Sequence, residues 1–341
     1  MEIISIIYIL IFLMLTYAAG VYPKLNFKNR KTFSIIIPYR NENDYIEKNY
    51  YFLRKQIYDK NRYELIYVND HSSDGSENFF NNKINIKKID LDMGEKGKFE
   101  AIKRGFKEAK NEYLILTDCD SYGNEKYINS INQVLNPDDV LYAGFFEIED
   151  SKLLSLDTFF LVGIASALNF FNMPSSCPGA NICVKKDIYE KFIKNSETSN
   201  NLTEDALLLN TIKKEKMGNI HFIFDENNIL KTRGYDSIPD FLNQRLRWLK
   251  GGFNLDYRLL IFLGFNFISN LLFLINIEYL FIPFVMIFLF LFCILKRLKR
   301  LKYILYYPLY FLLYFMYTIV LGIIFLFRLK NIKWKGRIYK K

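Results

Sequence analysis

The sequence predicts an α/β domain with apolar segments at both of its ends. Short β-rich runs alternate with amphipathic helical segments over residues 32–257, and no internal repeat interrupts this pattern. Apolar runs lie before it, at 3–22, and after it, over most of 259–327. The composition agrees with a protein that combines a soluble domain with membrane helices. Its 51% of hydrophobic residues is more than an ordinary soluble enzyme has, and its 24% of charged residues is more than a bundle of membrane helices has.

Residues 3–22 have the length that a helix needs to cross a bilayer. The small residues Ala18-Ala19-Gly20 resemble a signal-peptide cleavage site, but Glu2 precedes the run and no Lys or Arg does. We therefore favour a membrane anchor at 1–23 over a cleaved signal. Four basic residues follow it: Lys24, Lys28, Arg30 and Lys31. By the positive-inside rule they place the domain at 32–257 in the cytoplasm.

Three apolar runs inside this domain predict buried parallel strands. They are 33–38 (FSIIIP), 63–69 (YELIYVN) and 113–117 (YLILT). Polar groups follow them in turn: Arg40-Asn41-Glu42, Asp70, and the pair Asp118 and Asp120. Ligands of open α/β sheets bind beyond the carboxyl ends of the strands, so we expect these groups to converge on one cleft. The first strand is not followed by G-x-G-x-x-G, which disfavours a dinucleotide-binding fold.

Asp118 and Asp120 stand two residues apart after a predicted strand, where two carboxylates can hold one divalent cation. Zinc is disfavoured because His71 and His221 are isolated and the four cysteines show no CxxC spacing. Carboxylate oxygens favour Mg²⁺ or Mn²⁺ instead. The alternative is that the two aspartates only form the turn that ends the strand.

Several short motifs follow one another in a recognisable order. They are IIPYRNE at 36–42, VNDHSSDGS at 68–76, GK at 97–98 with Ala101, DCD at 118–120, TED at 203–205 and QRLRW at 244–248. This order resembles the family 2 glycosyltransferases of the GT-A fold, and the last two motifs resemble its membrane-bound branch, with cellulose, chitin and hyaluronan synthases and ceramide glucosyltransferase. The resemblance runs from Phe33 to Trp248, with an echo in WKGR at 334–337. One departure is Asn69, where the family usually has an acid.

The resemblance implies inverting transfer of a sugar from a nucleotide diphosphate, with UDP as the expected nucleotide. In the family pattern Asp205 is the general base beside Glu204, and Asp118 and Asp120 hold the metal. The residues implied in donor binding are Pro38, Arg40, Glu42, Asp70, Lys98, Asp118, Asp120 and Arg247. Those implied in acceptor binding are Gly179, Ala180, Asn181, Gln244 and Trp248, with the tryptophan as a stacking plate.

Each motif also has a simpler explanation. Thr203 is a fair helix N-cap with acids in the first turn, so capping alone accounts for the TED stretch. Lys98 is otherwise a solvated lysine. The QRLRW stretch otherwise anchors an interfacial helix through its Arg and Trp, and residues 177–181 otherwise form an ordinary turn.

The C-terminal third holds two apolar runs, 259–295 and 303–327, separated by a basic linker at 296–302. The first run suits either two tight spans or an interfacial helix with one span. If the first run forms two spans, the linker lies on the cytoplasmic side and the C-terminal tail on the outer side. If it forms one span, both locations are reversed. The WKGR echo favours a cytoplasmic tail at 328–341.

The net charge of +10 does not indicate nucleic-acid binding, because residues 296–341 hold twelve Lys and Arg and no acid. The remainder carries 34 basic against 36 acidic residues, and basic residues near a membrane favour anionic lipid surfaces.

We expect an integral protein of the plasma or inner membrane that serves the cell envelope, with a nucleotide-sugar donor and a lipid-linked or saccharide acceptor. A few membrane spans can hardly surround a channel for a growing polymer, so transfer of one sugar is favoured over processive polysaccharide synthesis. A nucleotidyltransferase would need a Gly-rich loop near its first strand, which the sequence lacks. A non-catalytic membrane scaffold is the alternative from another class.

Overall fold

The computed structural model describes residues 1–27, 30–81, 83–195, 204–235, 237–252, 257–326, 332–334 and 337–339. Its helices are α1 (Glu2–Val21), α2 (Asn43–Arg54), α3 (Lys98–Glu108), α4 (Tyr127–Asn132), α5 (Lys152–Phe170), α6 (Lys186–Asn195), α7 (Glu204–Lys214), α8 (Ile238–Gly252), α9 (Tyr257–Ile275), α10 (Phe281–Arg297) and α11 (Tyr307–Leu326). Its strands are β1 (Phe33–Tyr39), β2 (Tyr63–Asn69), β3 (Lys87–Asp90), β4 (Tyr113–Leu116), β5 (Asp139–Ala143), β6 (Phe146–Ile148), β7 (Ile182–Lys185), β8 (Asn219–Phe222), β9 (Leu230–Thr232), β10 (Ile332–Trp334) and β11 (Arg337–Tyr339).

A seven-stranded sheet in the order β3-β2-β1-β4-β7-β5-β8 forms the centre of the domain. Within it β7 runs antiparallel to both of its neighbours, and the other strand pairs are parallel. The β1 and β4 side chains are almost all buried, which explains why their sequences are apolar without alternation. The predicted α/β class and the three predicted strands are confirmed.

A second, two-stranded sheet pairs β6 with β9 and lies beside the end of β4. Tyr122, two residues beyond the Asp118–Asp120 pair, exchanges backbone hydrogen bonds of 2.9 and 2.7 Å with Lys231 of β9. This contact brings the residues that follow β9 next to the carboxylates that follow β4.

Among the described residues, five helical stretches are long and apolar enough to cross a membrane: Glu2–Val21, Lys152–Phe170, Tyr257–Ile275, Ile277–Arg297 and Leu301–Ile324. In four of them only 22–39% of the residues are buried. The exception is the stretch that coincides with α5, which is 67% buried and packs against α1, α10 and α11. Its sequence lies within the predicted catalytic domain at 32–257, and its packing against the apolar helices was not predicted.

The basic linker after α10 contacts the domain rather than facing away from it. Arg297 donates to the Tyr22 carbonyl oxygen at 2.7 Å, and Arg300 Nε lies 3.2 Å from Oε2 of the buried Glu147. The Tyr303 hydroxyl donates to the same carboxylate at 3.0 Å. Arg258, near the start of α9, donates to the carbonyl oxygen of Asn172 at 3.2 Å. Helices α9 and α10 therefore leave the domain and return to it.

Candidate active site

The turn that carries Asp118 and Asp120 follows β4 directly and is held from behind by Asn49 of α2. Asn49 Nδ2 donates to the carbonyl oxygens of Asp118 at 3.2 Å and Ser121 at 2.6 Å, and its Oδ1 accepts from the Tyr67 hydroxyl at 2.7 Å. Asn49 was not predicted as a site residue. Its only signal is a polar residue on the buried face of an otherwise amphipathic helix.

Lys98 is the first residue of α3, and its ammonium group joins two of the predicted motifs. Its Nζ lies 2.7 Å from Asp118 Oδ1 and 3.2 Å from Glu204 Oε1. Burial lowers the pKa of Lys98, but the two adjacent carboxylates outweigh burial and raise the pKa above its ordinary value. Lys98 therefore lies between carboxylates of two motifs, and its side chain remains 36% exposed.

Asp70 follows β2 and fixes the loop that leads into α3. Its Oδ2 accepts from the Gly97 N–H at 3.0 Å, and Gly97 has a φ of 102°, which favours glycine. His71 Nε2 lies 2.9 Å from the carbonyl oxygen of Glu95 in the same loop. Asn69 donates to Asp90 at 2.8 Å, so it connects the ends of β2 and β3.

The loop after β1 lies beside the loop after β2. The Asn41 N–H donates to Ser72 Oγ at 3.1 Å, and Asn41 Oδ1 accepts from the Ser73 N–H at 2.9 Å. Pro38 lies one residue before the end of β1, and Arg40 follows the strand. Glu42 is buried at the start of α2. These residues stand at the sheet edge that carries Asp70 and Asp118, as the sequence analysis expected.

Asp205 lies in the first turn of α7, in an environment that disfavours its charge. Burial and the neighbouring Glu204 raise its pKa from 3.8 to about 6, while Lys98 and Arg247 act in the opposite direction with smaller effect. Its Oδ1 accepts from the Ala206 N–H at 2.8 Å. A carboxyl group with a pKa near neutrality is suited to proton transfer.

The loop at 177–181 contacts Asp205 through Gly179. A Cβ atom at Gly179 would stand 3.0 Å from Asp205 Oδ2, so the backbone approaches the carboxylate more closely than other residues would allow. Ala180, next to it, is partly exposed.

Asn181 does not reach the cleft. It is only 2% exposed, its Oδ1 accepts from Tyr127 at 2.9 Å, and its Nδ2 donates to the Phe145 and Asn228 carbonyl oxygens at 2.9 and 2.8 Å. Through these hydrogen bonds Asn181 joins β7 to the second sheet, so the structure does not bring its side chain together with the other predicted acceptor-binding residues.

Helix α8 carries the remaining predicted residues, Gln244, Arg247 and Trp248, which have different neighbours. Arg247 is close enough to Asp205 to lower its pKa. Gln244 Oε1 accepts from Arg245 at 2.8 Å and from the Tyr235 hydroxyl. Trp248 packs edge-on against Phe146, with ring centroids 6.4 Å apart. Arg247 thus lies near the base, Trp248 contacts the second sheet, and Gln244 is held by Arg245 and Tyr235.

The residues present fit a divalent cation only in part. Within the described ranges, no group of three or more His, Cys, Asp or Glu residues could hold a metal ion. Asp118 and Asp120 supply two carboxylates, and Arg233, which the sequence analysis missed, has its Nε 4.0 Å from Asp120 Oδ2. Mg²⁺ commonly takes one or two protein carboxylates and completes its shell with phosphate oxygens and water. The pair therefore suits a cation that is shared with a diphosphate.

A mostly parallel sheet with carboxylates, a lysine and an arginine gathered beyond its strand ends defines a GT-A-like glycosyltransferase domain. Two family models match the sequence: Glycosyl transferase family 2 over residues 34–156 and Glycosyl transferase family group 2 over residues 113–325. The second match covers more than half of the chain, which therefore belongs to glycosyl transferase family group 2.

Two curated relatives match parts of the chain. The probable glycosyltransferase YdaM of Bacillus subtilis is 25% identical over 242 residues, which are 66% of this chain and 56% of YdaM. The poly(ribitol-phosphate) beta-N-acetylglucosaminyltransferase TarS of Staphylococcus aureus is 30% identical over 97 residues, 28% of this chain and 17% of TarS. The chain thus spans about half of the first relative and less of the second.

The similarity to solved structures extends over almost the whole chain in the following example. It is the mannosyltransferase PcManGT from Pyrobaculum calidifontis in complex with GDP-Man and Mn²⁺, with a TM-score of 0.57 at 14% identity. The likeness covers 96% of this chain and 99% of PcManGT, and it extends the shared fold to the apolar helices.

Proposed function

We propose that this protein is an inverting, metal-dependent glycosyltransferase that moves one sugar from a nucleotide diphosphate to a lipid-linked acceptor at the cytoplasmic membrane surface. The observation that carries the proposal is the contact of Lys98 with both Asp118 and Glu204. It gathers the carboxylates suited to a metal diphosphate and the acids suited to proton transfer in one cleft.

The proposed reaction is a single displacement. The Asp205 carboxylate takes the proton of the acceptor hydroxyl as that oxygen forms its bond to the anomeric carbon of the sugar. The bond from the anomeric carbon to the diphosphate oxygen breaks, and its electron pair leaves with the diphosphate. A divalent cation at Asp118 and Asp120 would offset the charge that grows there. Attack opposite the leaving group inverts the anomeric centre without an enzyme nucleophile.

The two other cationic groups have distinct roles in this proposal. Arg247 offers a planar fork that matches two diphosphate oxygens, and Lys98 offers a compact ammonium on a flexible stem. Both already lower the pKa of Asp205, so the cations that would bind the leaving group also favour the ionised base. Donor binding and base ionisation are therefore linked through the same charges.

We further propose that α1, α9 and α10 cross the membrane and that α5 does not. Strand β5 precedes α5 and β7 follows it, and these strands pair directly, with Leu141 opposite Val184. A helix that crossed once would separate them onto opposite sides of the bilayer. Helix α5 has the length of a span, but its connections hold both of its ends at the sheet.

The same reasoning keeps α11 on the side of the domain. Before it, Tyr303 bonds to Glu147 of the second sheet, and after it β10 lies against α8. By contrast, α10 runs beside α1 over its length, with Phe290 against Phe12 and Arg297 against Tyr22. In this arrangement the basic linker and the basic tail both lie on the cytoplasmic side, which satisfies the positive-inside rule for each.

A lipid-linked acceptor fits the position of α8. This helix packs against α7 at the base and against α11 among the apolar helices, so an acceptor headgroup at the bilayer surface lies within reach of both. Three spans in one chain provide little wall around a growing polymer. We therefore favour transfer of one sugar over processive synthesis.

The test is a donor screen of the purified full chain. UDP-, GDP- and TDP-sugars are offered with Mn²⁺ or Mg²⁺, and hydrolysis of the donor is followed. GDP-sugars belong in the screen because the PcManGT structure contains GDP-Man. We expect one nucleotide class to be hydrolysed and the activity to vanish on chelation. A scaffold would hydrolyse none of them.

Two variants assign the activity to the site. Asp118→Asn and Asp120→Asn are expected to weaken metal-dependent nucleotide binding, whereas Asp138→Asn, an exposed acid before β5, should not. Unchanged Mn²⁺-dependent affinity in both site variants would exclude this site. With a lipid extract present, a short lipid-soluble product is expected, and a high-molecular-weight saccharide would instead support the synthase alternative.

A further inference from the structure

We propose that Lys98 holds the place of the divalent cation in the ligand-free enzyme, so that the metal binds together with the nucleotide and not before it. This inference rests on the proposed function and adds to it the order in which metal and nucleotide bind. Its basis is the position of one ammonium group between Asp118 and Glu204.

The ammonium and a metal ion would compete for the same carboxylate. Lys98 Nζ lies 2.7 Å from Asp118 Oδ1, which is a strong charge-assisted contact. Mg²⁺ binds carboxylate oxygens at about 2.0–2.1 Å. A cation bound to that oxygen would stand too near a second positive charge, so Lys98 must move before Asp118 Oδ1 can bind the metal.

The charges around Asp118 and Asp120 also disfavour binding of a metal ion without the nucleotide. Asp118 and Asp120 contribute two negative charges, and Lys98 and Arg233 stand beside them with two positive charges. Glu204, which also contacts Lys98, adds a third negative charge, so these five groups carry one net negative charge and attract a lone divalent cation only weakly. A nucleoside diphosphate adds further negative charge, and its oxygens supply ligands that the two carboxylates cannot.

Lys98 has a second location available when the diphosphate arrives. It begins α3 directly after Gly97, whose N–H is held by Asp70 at 3.0 Å, so its backbone is fixed while its side chain is a flexible stem. The ammonium can turn from Asp118 to a phosphate oxygen. That movement also releases Glu204, which lies next to the proposed base.

The experiment measures Mn²⁺ binding by electron paramagnetic resonance, in which the signal of free Mn²⁺ disappears on binding. Purified full chain is titrated with Mn²⁺ alone and then with UDP present, or with GDP if the donor screen selects it. In the wild-type protein we expect the nucleotide to tighten Mn²⁺ binding about tenfold or more, within the usual range of coupling between sites.

Lys98→Met should allow Mn²⁺ to bind without the nucleotide. We expect Mn²⁺ alone to bind the variant about tenfold more tightly than it binds the wild type, with a smaller gain from the nucleotide. Lys98→Gln should behave in the same way and serves if the methionine variant does not fold. Lys96→Met, in the exposed part of the same loop, is the matched control and should leave both affinities unchanged.

Two outcomes contradict different statements. If Lys98→Met and Lys98→Gln bind Mn²⁺ alone no better than the wild type, Lys98 does not compete with the metal and this inference is wrong. If neither the wild type nor the variants bind Mn²⁺ with any nucleotide, the proposed function itself fails. A Lys98 that only stabilised the fold would lower the melting temperature without tightening Mn²⁺ binding.

Discussion

Arg245 of α8 and Asp157 of α5 form a buried ion pair, with Arg245 Nε 3.0 Å from Asp157 Oδ2. The two side chains are 3% and 0% exposed. The Tyr317 hydroxyl of α11 donates to Asp157 Oδ1 at 2.6 Å. The guanidinium stacks on Trp248, 4.4 Å from the ring centroid. This pair therefore ties the helix that carries Arg247 and Trp248 to two of the apolar helices.

Asp157→Asn is expected to destabilise the protein strongly, because it leaves the Arg245 charge buried without a counter-charge. Loss of one partner of a buried pair typically costs about 3–5 kcal/mol. The melting temperature of the purified protein measures the effect. Asp150→Asn is the control, since Asp150 is exposed and its φ of 61° suits asparagine equally well.

Removal of both charges separates the ion pair from simple packing. Asp157→Leu combined with Arg245→Met should be less destabilising than Asp157→Asn alone, because it leaves no buried charge uncompensated. A double variant that melts below the single variant would show that shape, and not charge, dominates at this position.

Gly179→Ala is expected to impair transfer while donor binding is retained. The added methyl group would stand 3.0 Å from Asp205 Oδ2 and displace the carboxylate by a few tenths of an ångström. Small misplacements of a reacting group cost about tenfold or more in rate. Gly94→Ala is the matched control, because nothing lies within 4 Å of its added methyl group. Equal transfer rates in Gly179→Ala and Gly94→Ala would contradict the proposed role of Asp205 in the reaction with the acceptor.

The sequence predicted the sheet well where burial decides the residue types. Strands β1 and β2 lie inside a parallel sheet, so their apolar composition identifies them without knowledge of the fold. The polar groups after β1, β2 and β4 lie at one sheet edge because parallel strands end there together. Local composition therefore located the cleft.

Contacts between distant segments could not be predicted in the same way. Asp157 is one acid in an apolar stretch, and its partner Arg245 stands 88 residues further along the chain. Arg233 reaches Asp120 only because β9 pairs beside Tyr122. Asn181 resembled a ligand contact in sequence, yet its hydrogen bonds serve the joint between the two sheets. In each case the decisive neighbour is remote in sequence.

The proposed base gives transfer a defined pH dependence. Asp205 must be ionised to accept a proton, and its pKa is raised to about 6. The value of kcat/KM is therefore expected to rise with pH up to about 6 and then to level off, as measured with a saturating metal concentration. Asp205→Asn should lower transfer about 10²-fold or more above pH 6, with nucleotide binding retained, and the difference from the wild type should shrink as pH falls below 6.

The raised pKa of Asp205 also affects the stability of the fold, but here ionisation is unfavourable. Because the folded pKa lies above the ordinary value of 3.8, protonation of Asp205 favours the fold, and this contribution is lost as pH rises through about 6. Asp205→Asn should therefore melt at a higher temperature than the wild type at pH 8, with the difference gone below pH 4. A variant less stable at pH 8 would contradict the raised pKa.

The membrane arrangement predicts which positions are reached from outside the cell. Glu278 lies in the turn between α9 and α10, and Lys302 lies in the basic linker; both are exposed. A membrane-impermeant maleimide should label Glu278→Cys in intact cells and Lys302→Cys only after permeabilisation. The wild-type protein, whose own cysteines are mostly buried, gives the background. Labelling of Lys302→Cys in intact cells would reverse the orientation.

Trp248→Ala is expected to weaken use of the acceptor and to leave donor binding nearly unchanged. Arg245 covers the indole ring at 4.4 Å and Phe146 contacts it edge-on, so the tryptophan is held as a rigid plate at the edge of the apolar helices. Loss of a stacked aromatic contact should raise the acceptor KM about five- to tenfold, and Trp248→Phe should recover part of it. Nucleotide affinity, measured separately, distinguishes the alternatives. If it falls in Trp248→Ala, the tryptophan supports the donor site and its proposed acceptor role is wrong.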